Sequence, residues 1–237
     1  MYIDSRYAVS NSGSSIDYQI PGNLKPSTRV WLSEFTCVAA WDTIDSSNNR
    51  LYVKEGAVDR ILYIPNGVYD LKTLRLAFEH ALNSASKSAT MGTYSVDLRT
   101  SGSTGGTFRV YEVYCTAGSF VMPLETGISS TNSIVSFPSG AQSWVQTSGF
   151  VDLRRVHSLY IHSSSFAAYN SLGPRGVRTI VAKVPVNEGN GGHVTYTSSG
   201  SEHDYIESGV RAISSIELQL KDAAGELLSL NNTHWSC

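Results

Sequence analysis

Charged residues are scarce in this sequence. Asp, Glu, Lys and Arg together make up 16% of the 237 residues, and the formal net charge is −2. The Lys and Arg residues are scattered along the chain and form neither a basic tail nor a basic stripe. Proteins that bind nucleic acid through counterion release need such a concentration of positive charge. We therefore expect no direct binding of nucleic acid, and a genome-packaging role is disfavoured.

Long apolar runs and a secretion signal are also lacking. No apolar run approaches the roughly 18 residues that a membrane-spanning helix needs, and the first six residues lack the charged-then-apolar layout of a signal peptide. We expect no membrane span and a chain that stays in a reducing cytosol or nucleus. The glycosylation sequon at Asn231 is then expected to be unused, because it matters only on a secretory route.

Cysteine is rare, and the three cysteines do not suggest a disulfide framework. Cys37 and Cys115 lie inside apolar segments, and Cys237 is the last residue. An odd number of cysteines without a secretion signal favours free thiols. We expect these thiols to be buried and reduced.

Motifs for catalysis are missing as well. The sequence contains no G-x-S-x-G, no H-E-x-x-H and no phosphate-binding glycine loop. His157 and His162 are five residues apart on a predicted strand, so their side chains point to opposite faces and do not share a metal ion. The polar triplet at residues 202–204, Glu-His-Asp, follows His193, but a solvated loop is favoured over an ion site. We therefore predict no enzyme and no catalytic, cofactor-binding or metal-binding residue.

The sequence is rich in short apolar segments separated by clusters of Gly and Ser, which is typical of many strands. Three segments alternate apolar and polar residues and are predicted to be strands with one buried face, namely residues 16–20, 94–98 and 216–220. Residues 30–38 and 180–184 are apolar on both faces, and we interpret them as central strands that also contact a loop or a neighbouring subunit. Residues 108–114 change phase midway, which predicts a bulge or a two-sided strand.

One segment predicts a helix. Leu71, Leu74, Phe78 and Leu82 have helical spacing, and Asp70 is a plausible N-cap. Near the end of the chain, residues 213–220 and 226–230 flank a turn with a glycine, which predicts a closing hairpin. Eleven to thirteen strands and one helix are expected, without internal repeats or a linker. The simplest architecture is one all-β sandwich with long loops, a single domain over residues 1–237.

Aromatic residues leave a second function open. Jelly-roll domains often serve as lectins, in which Tyr and Trp stack on sugars, and four tryptophans could contribute: Trp31, Trp41, Trp144 and Trp235. Their neighbours are predicted to be strands, which favours a core or interface role. The glycine-rich loops at residues 102–106 and 190–192 are flanked by predicted strands, so we interpret them as hairpin connections and not as phosphate-binding loops.

Two stretches carry a resemblance to a known family. The first is residues 64–70, Ile-Pro-Asn-Gly-Val-Tyr-Asp, with the helix that follows, and the second is residues 218–236, which include Lys-Asp-Ala-Ala-Gly and end on Trp-Ser. Together they resemble capsid proteins of the polinton, adintovirus and virophage group of eukaryotic DNA viruses. In that group an I-P-x-G-x-Y turn leads into a short amphipathic helix, and a closing hairpin ends near W-S.

The resemblance implies a structural function. The group has a double jelly-roll, hexon-type major capsid protein and a single jelly-roll minor capsid protein, and the length of this chain fits one jelly roll. The resemblance therefore implies the minor capsid, or penton, protein, a homopentamer at the fivefold vertices of an icosahedral virion. Its neighbour would be the hexon-type major capsid protein, and assembly would take place in the host cytoplasm or nucleus. A carbohydrate-binding jelly-roll module is the alternative.

Overall fold

The computed structural model describes residues 1–84, 92–103, 106–116, 118, 120–122, 145–166, 176–199, 205–208 and 212–237. The chain forms two compact units: unit 1 comprises Met1–Trp41 and Val156–Cys237, and unit 2 is the intervening Asp42–Arg155. The sequence predicted one domain over residues 1–237. That remains a prediction, because two compact units can still unfold as one cooperative body.

The described residues form sixteen strands and one α-helix, with a 3-10 turn at Ser5–Tyr7. The helix is α1 (Leu71–Leu82). The strands in chain order are β1 (Ser10–Asn11), β2 (Ser15–Leu24), β3 (Arg29–Val30), β4 (Glu34–Val38), β5 (Arg50–Glu55), β6 (Val58–Tyr63), β7 (Tyr94–Ser103), β8 (Gly106–Cys115), β9 (Phe120–Val121), β10 (Val145–Thr147), β11 (Ser158–His162), β12 (Ile180–Pro185), β13 (His193–Thr197), β14 (Ile206–Glu207), β15 (Ile213–Lys221) and β16 (Trp235–Ser236).

Unit 1 is built from antiparallel sheets around one core. A five-stranded sheet has the order β1-β2-β15-β11-β12, a three-stranded sheet has the order β13-β4-β16, and β3 pairs with β14. Ile16 of β2 and Leu218 of β15 pack in the same core cluster as Phe35 of β4 and Trp235 of β16. The five-stranded and three-stranded sheets therefore share one interior, as in a β-sandwich.

The alternating segments of the sequence are strands with one buried face, as predicted. In β2, Ile16 and Ile20 are buried while Asp17 and Gln19 are exposed, and β7 and β15 alternate in the same way. In β8 the register against β7 is continuous, and the neighbours Val110 and Tyr111 are both buried. Of the two explanations for the phase change, the two-sided strand is therefore the one that the structure shows.

Unit 2 combines two three-stranded sheets, with the orders β6-β5-β9 and β10-β8-β7, and the helix α1. Apolar side chains of α1, β5, β7, β8 and β9 form its core. Phe78 of α1 stacks on Tyr111 of β8 with 6.2 Å between the ring centroids, and the Tyr111 hydroxyl donates to the Leu71 carbonyl at 2.7 Å. The helix is thereby fixed against the strands at both its start and its middle.

The helix begins and ends where the sequence predicts. Asp70 is the N-cap, and its carboxylate accepts hydrogen bonds from the backbone N–H groups of Lys72 and Thr73 at 2.8 and 2.7 Å. The Thr73 hydroxyl accepts from the Asp70 backbone N–H, which completes a capping box. Gly67, in the turn before the helix, exchanges backbone hydrogen bonds with Ile44.

The closing hairpin is only partly as predicted. The turn after β15 has Gly225 at φ +85°, the left-handed conformation that favours glycine. Beyond it, however, the second arm is an isolated bridge between Lys221 and Leu227 and not a strand. The end of the chain pairs elsewhere, because Trp235 and Ser236 form β16 beside β4. Burial of Trp235, which is 2% exposed, favours this arrangement over a longer hairpin.

Candidate subunit-contact surfaces

The two segments predicted as apolar on both faces differ from that prediction. In β4, Phe35 and Cys37 are buried while Glu34 and Thr36 are exposed, so this strand has one apolar face. The prediction of a two-faced strand over residues 30–38 is wrong, since the segment divides into β3 and β4 with Trp31 between them. Strand β12 is an edge strand in the described sheet and not a central one.

One part of residues 30–38 is nevertheless a prominent surface feature. Trp31 is 54% exposed and follows directly on β3. Tyr205 directly precedes β14, the strand that pairs with β3. The Arg29 guanidinium lies 4.3 Å from the centroid of the Tyr205 ring, a cation–π contact that holds both side chains in place. Arg29, Trp31 and Tyr205 define the Trp31 surface, which combines an exposed aromatic group with a fixed positive charge.

The first residues of the chain are held against the body of unit 1. The backbones of Ile3 and Cys237 exchange two hydrogen bonds of 2.7 and 2.8 Å. The buried carboxylate of Asp4 accepts from Arg6, which lowers its pKa to about 2. Tyr7 follows directly and is strongly exposed. An aromatic side chain on an anchored segment loses little conformational freedom on binding, as contact residues should.

Unit 2 has its own exposed apolar row, on strand β6. Ile61 and Tyr63 are 52% and 62% exposed and lie on the same face of the strand. Their partners across the pair are Tyr52 and Arg50 of β5. Tyr52 is buried although it is on this outward face, and Ile61 lies directly opposite it.

A buried ion pair lies on the opposite face of the same strands, and the sequence did not reveal it. Arg60 Nη1 donates to Glu55 Oε2 at 2.8 Å, and the two side chains are 9% and 2% exposed. The Tyr94 hydroxyl donates to the other Glu55 oxygen at 2.8 Å. Burial, the main cause, and the adjacent carboxylate raise the Tyr94 pKa far above its usual value. Because the group is largely buried and its charges are paired, we interpret it as a structural element of unit 2.

His157 and His162 have different environments. His157 is exposed and His162 is buried, with Nδ1 at 3.0 Å from the Thr179 hydroxyl. Burial lowers the His162 pKa. Within the described ranges, no group of three or more His, Cys, Asp or Glu side chains could hold a metal ion. The triplet at residues 202–204 lies outside these ranges.

The loop at residues 190–192 is a tight turn. Gly191 has φ +82° and its N–H bonds to the Ala39 carbonyl at 2.8 Å, while a Cβ at Gly192 would lie 2.7 Å from Glu188 Cβ. These glycines satisfy the geometry of the turn and the close backbone approach to Ala39. The loop is not the predicted hairpin connection, however, because β12 pairs with β11 and β13 pairs with β4 in a different sheet. The β7–β8 connection pairs up to Ser103 and Gly106, and the two residues between them lie outside the described ranges.

The tryptophans proposed as sugar platforms have different environments. Trp41 and Trp235 are 4% and 2% exposed and belong to the core of unit 1. Trp144 lies outside the described residues. Only Trp31, of the three described, presents its indole to solvent. In the part of the chain described here, no helix is long and apolar enough to cross a membrane.

Comparison with known proteins identifies the fold. No protein-family model matches the sequence, and no curated protein matches it either. The structure, however, is similar to a crystal structure of the selenomethionine-labelled mavirus penton protein, with a TM-score of 0.56 and 10% sequence identity. The alignment covers 100% of this chain and 96% of that chain. The predicted all-β jelly-roll fold is therefore confirmed, and it is the fold of a penton protein.

Proposed function

We propose that this protein is a minor capsid protein, the penton, of an icosahedral DNA virus. Five copies form a homopentamer at each fivefold vertex of the virion, beside a hexon-type double jelly-roll major capsid protein. The function is structural and involves no catalysis. The observation that carries the proposal is the extent of the structural similarity, which includes the whole of this chain and 96% of the mavirus penton protein.

A fivefold ring places a geometric demand on the subunit. Contacts around the ring are heterologous, so each subunit needs two different surfaces, one for each neighbour. The Trp31 surface meets the usual chemistry of one of them, because Trp, Tyr and Arg are enriched at protein interfaces. Individual contacts can be weak, since each subunit of a closed ring is held by two neighbours at once.

Sedimentation of the purified chain tests the proposal. The monomer mass is 25.7 kDa, so a closed ring of five has a mass of about 130 kDa. We expect this species in the wild type and its loss in Trp31→Ser, because the substitution removes the exposed aromatic group. Leu227→Ser is the matched control, because Leu227 is 52% exposed in the same unit and is not one of the residues that define the Trp31 surface.

A chain that stays monomeric, both alone and mixed with the major capsid protein from the same virus, would overturn the proposal. A ring of another stoichiometry would also contradict it. A ring of five that survives Trp31→Ser would retain the function and exclude the Trp31 surface as the contact.

Carbohydrate binding is the second candidate, and the exposure of Trp31 is the observation in its favour. A planar indole at the surface can stack on a sugar ring. A glycan array with wild type and Trp31→Ala separates the two functions. Specific retention that disappears in the variant supports a lectin, and retention of no glycan excludes it.

We also propose that the two compact units act as one domain. Unit 2 is an insertion, so the chain leaves unit 1 after Trp41 and returns at Val156. Differential scanning calorimetry should then give one transition for the whole chain, whereas two separated transitions would show independent domains.

A further inference from the structure

We propose that the edge of strand β6 that no described strand occupies is a pairing site for β6 of a second copy of this chain, in an antiparallel arrangement centred on Ile61. The contact is independent of the proposed fivefold ring. A twofold contact cannot be part of a heterologous ring, so it would join subunits outside one ring.

The hydrogen-bond pattern of β5 and β6 leaves alternate residues of β6 open. Glu55 pairs with Val58 across the turn, and the Ile64 N–H bonds to the Asn49 carbonyl at 2.9 Å. Every second residue from Val58 to Ile64 therefore bonds to β5. The residues between them, Asp59, Ile61 and Tyr63, direct their backbone N–H and C=O groups away from β5. Among the described strands, β5 alone pairs with β6.

The edge of β7, in the same unit, is covered by side chains, in contrast to the open edge of β6. Thr116 N–H bonds to the Thr93 carbonyl, so Tyr94 and Val96 direct their backbone groups away from β8. Side chains of α1 and of its C-cap residue, Asn83, bind these groups. Asn83 donates to the Tyr94 carbonyl at 2.7 Å and accepts from its N–H at 2.9 Å.

Two side chains of α1 itself complete this cover. Glu79 accepts from the Val96 N–H at 2.9 Å, and Arg75 donates to the Val96 carbonyl at 2.8 Å. Unit 2 therefore blocks the edge of β7 with dedicated side chains at the positions that α1 spans. Proteins usually protect exposed edges because an open edge is a template for pairing with another chain.

The side chains of β6 favour pairing over protection. Charged residues on an edge strand, whether they point outward or inward, commonly discourage pairing. Arg60 points inward, but its charge is already paired with Glu55 at 2.8 Å. The outward positions Ile61 and Tyr63 are apolar and more than half exposed. Asp59 is the one outward charge between Val58 and Tyr63, and it lies at the turn end, 3.5 Å from Lys54.

A second β6 is the occupant that this edge fits. In an antiparallel pair centred on Ile61, each Ile61 faces its counterpart and each Asp59 faces Tyr63 of the other copy. Every outward backbone N–H and C=O of the three residues then finds a partner. The pairing places Ile61 against Ile61 and the Tyr63 hydroxyl beside the Asp59 carboxylate, without opposing like charges.

Disulfide trapping tests the register. We use the full chain with Cys237→Ser, because the other two cysteines are buried. In the proposed pair the Cα atoms of the two Ile61 residues are about 5.5 Å apart, within reach of a disulfide. The two Val58 residues are about 20 Å apart, six strand positions away from each other. Under mild oxidation Ile61→Cys should form a covalent dimer at least tenfold faster than Val58→Cys.

A second variant measures the non-covalent contact. Ile61→Lys places a charge on the open edge, and we expect it to weaken the pairing at least tenfold in sedimentation equilibrium. Leu76→Lys is the matched control, because Leu76 is 54% exposed on α1 of the same unit. Circular dichroism confirms that each variant is folded.

Equal trapping of Ile61→Cys and Val58→Cys would refute the register, and absence of trapping in both would refute the contact. Unchanged association in Ile61→Lys would also refute it. Loss of the fivefold ring in Trp31→Ser with trapping at Ile61 intact shows that the two contacts are separate. Failure of the ring to form, both alone and with the major capsid protein, while Ile61→Cys is still trapped, refutes the proposed function and leaves this inference standing.

Discussion

Replacement of Asn83 by Ala tests whether α1 protects the edge of β7. The Asn83 side chain makes two hydrogen bonds to the Tyr94 backbone, of 2.7 and 2.9 Å, and one to the Glu79 carbonyl at 3.0 Å. Each hydrogen bond contributes about 1 kcal/mol net, and a buried group left without a partner costs about 1–3 kcal/mol. The Tyr94 side chain is 1% exposed, so water replaces the lost partner poorly.

We therefore expect Asn83→Ala to lower the free energy of unfolding by about 2 kcal/mol, measured by urea denaturation. Leu76→Ala is the control on the same helix, and its exposed side chain should change stability by less than about 0.5 kcal/mol. Amide hydrogen exchange gives the local readout. Exchange at the Tyr94 N–H should become faster in the variant, while the Val96 N–H keeps its bond to Glu79.

The reasoning is refuted by a variant whose stability is within about 0.5 kcal/mol of wild type and whose Tyr94 amide is as protected as before. Stability loss without a change at Tyr94 would also count against it, because the effect would then come from the end of the helix and not from the strand edge.

Three further predictions follow from single contacts. Asp70→Ala removes the N-cap of α1 and should lower the free energy of unfolding by about 1 kcal/mol in urea denaturation. Trp235→Ala empties a buried site and should cost about 3–5 kcal/mol by the same measurement, whereas Leu227→Ala should be close to neutral. Burial raises the Cys37 pKa to about 12, so the folded state keeps the thiol protonated at pH values where the unfolded chain loses the proton. The stability that the buried thiol contributes is complete below pH 9 and is lost between pH 9 and 12. Thermal unfolding of Cys37→Ala should therefore show a weaker loss of stability at alkaline pH than wild type.

The helix could be predicted from the sequence because its signals are local. Asp70 binds backbone groups two and three residues later, and Leu74 and Phe78 are buried at helical spacing. The alternating strands could be predicted for the same reason, since one buried face follows from period-two spacing. These features depend on neighbours in the sequence and not on the rest of the fold.

Features that depend on distant pairing could not be predicted. Asn83, Glu79 and Arg75 bind backbone groups of β7 that are 11, 17 and 21 residues away, which depends on the final position of the strand. The insertion of unit 2 could not be predicted, because no change of composition marks Trp41 or Arg155. It becomes visible only when β2 pairs with β15, far along the chain.

The error over residues 30–38 has a physical cause of the same kind. The apolar residues suggested a continuous strand, but Glu34 and Thr36 occupy the outward positions of β4. Trp31 lies between β3 and β4, outside both strands, and is exposed. A composition that is apolar on average thus divides into a core strand and a surface aromatic group, and the surface group is the better candidate for contact between subunits.

Edge protection links this fold to assembly. A chain whose described regular structure is mostly strand must prevent its edges from pairing at random before it reaches its partners. In this protein α1 covers the start of β7, and β12 ends at Pro185, which has no N–H to offer a neighbour. Strand β6 has neither device among the described residues, and its outward side chains are apolar. Unit 2 thus contains a covered edge on β7 and an open edge on β6, and this contrast argues for selective pairing at β6. Ile61→Lys should therefore reduce association without lowering the free energy of unfolding. Non-specific association through all strand edges would not respond to this single substitution in that way.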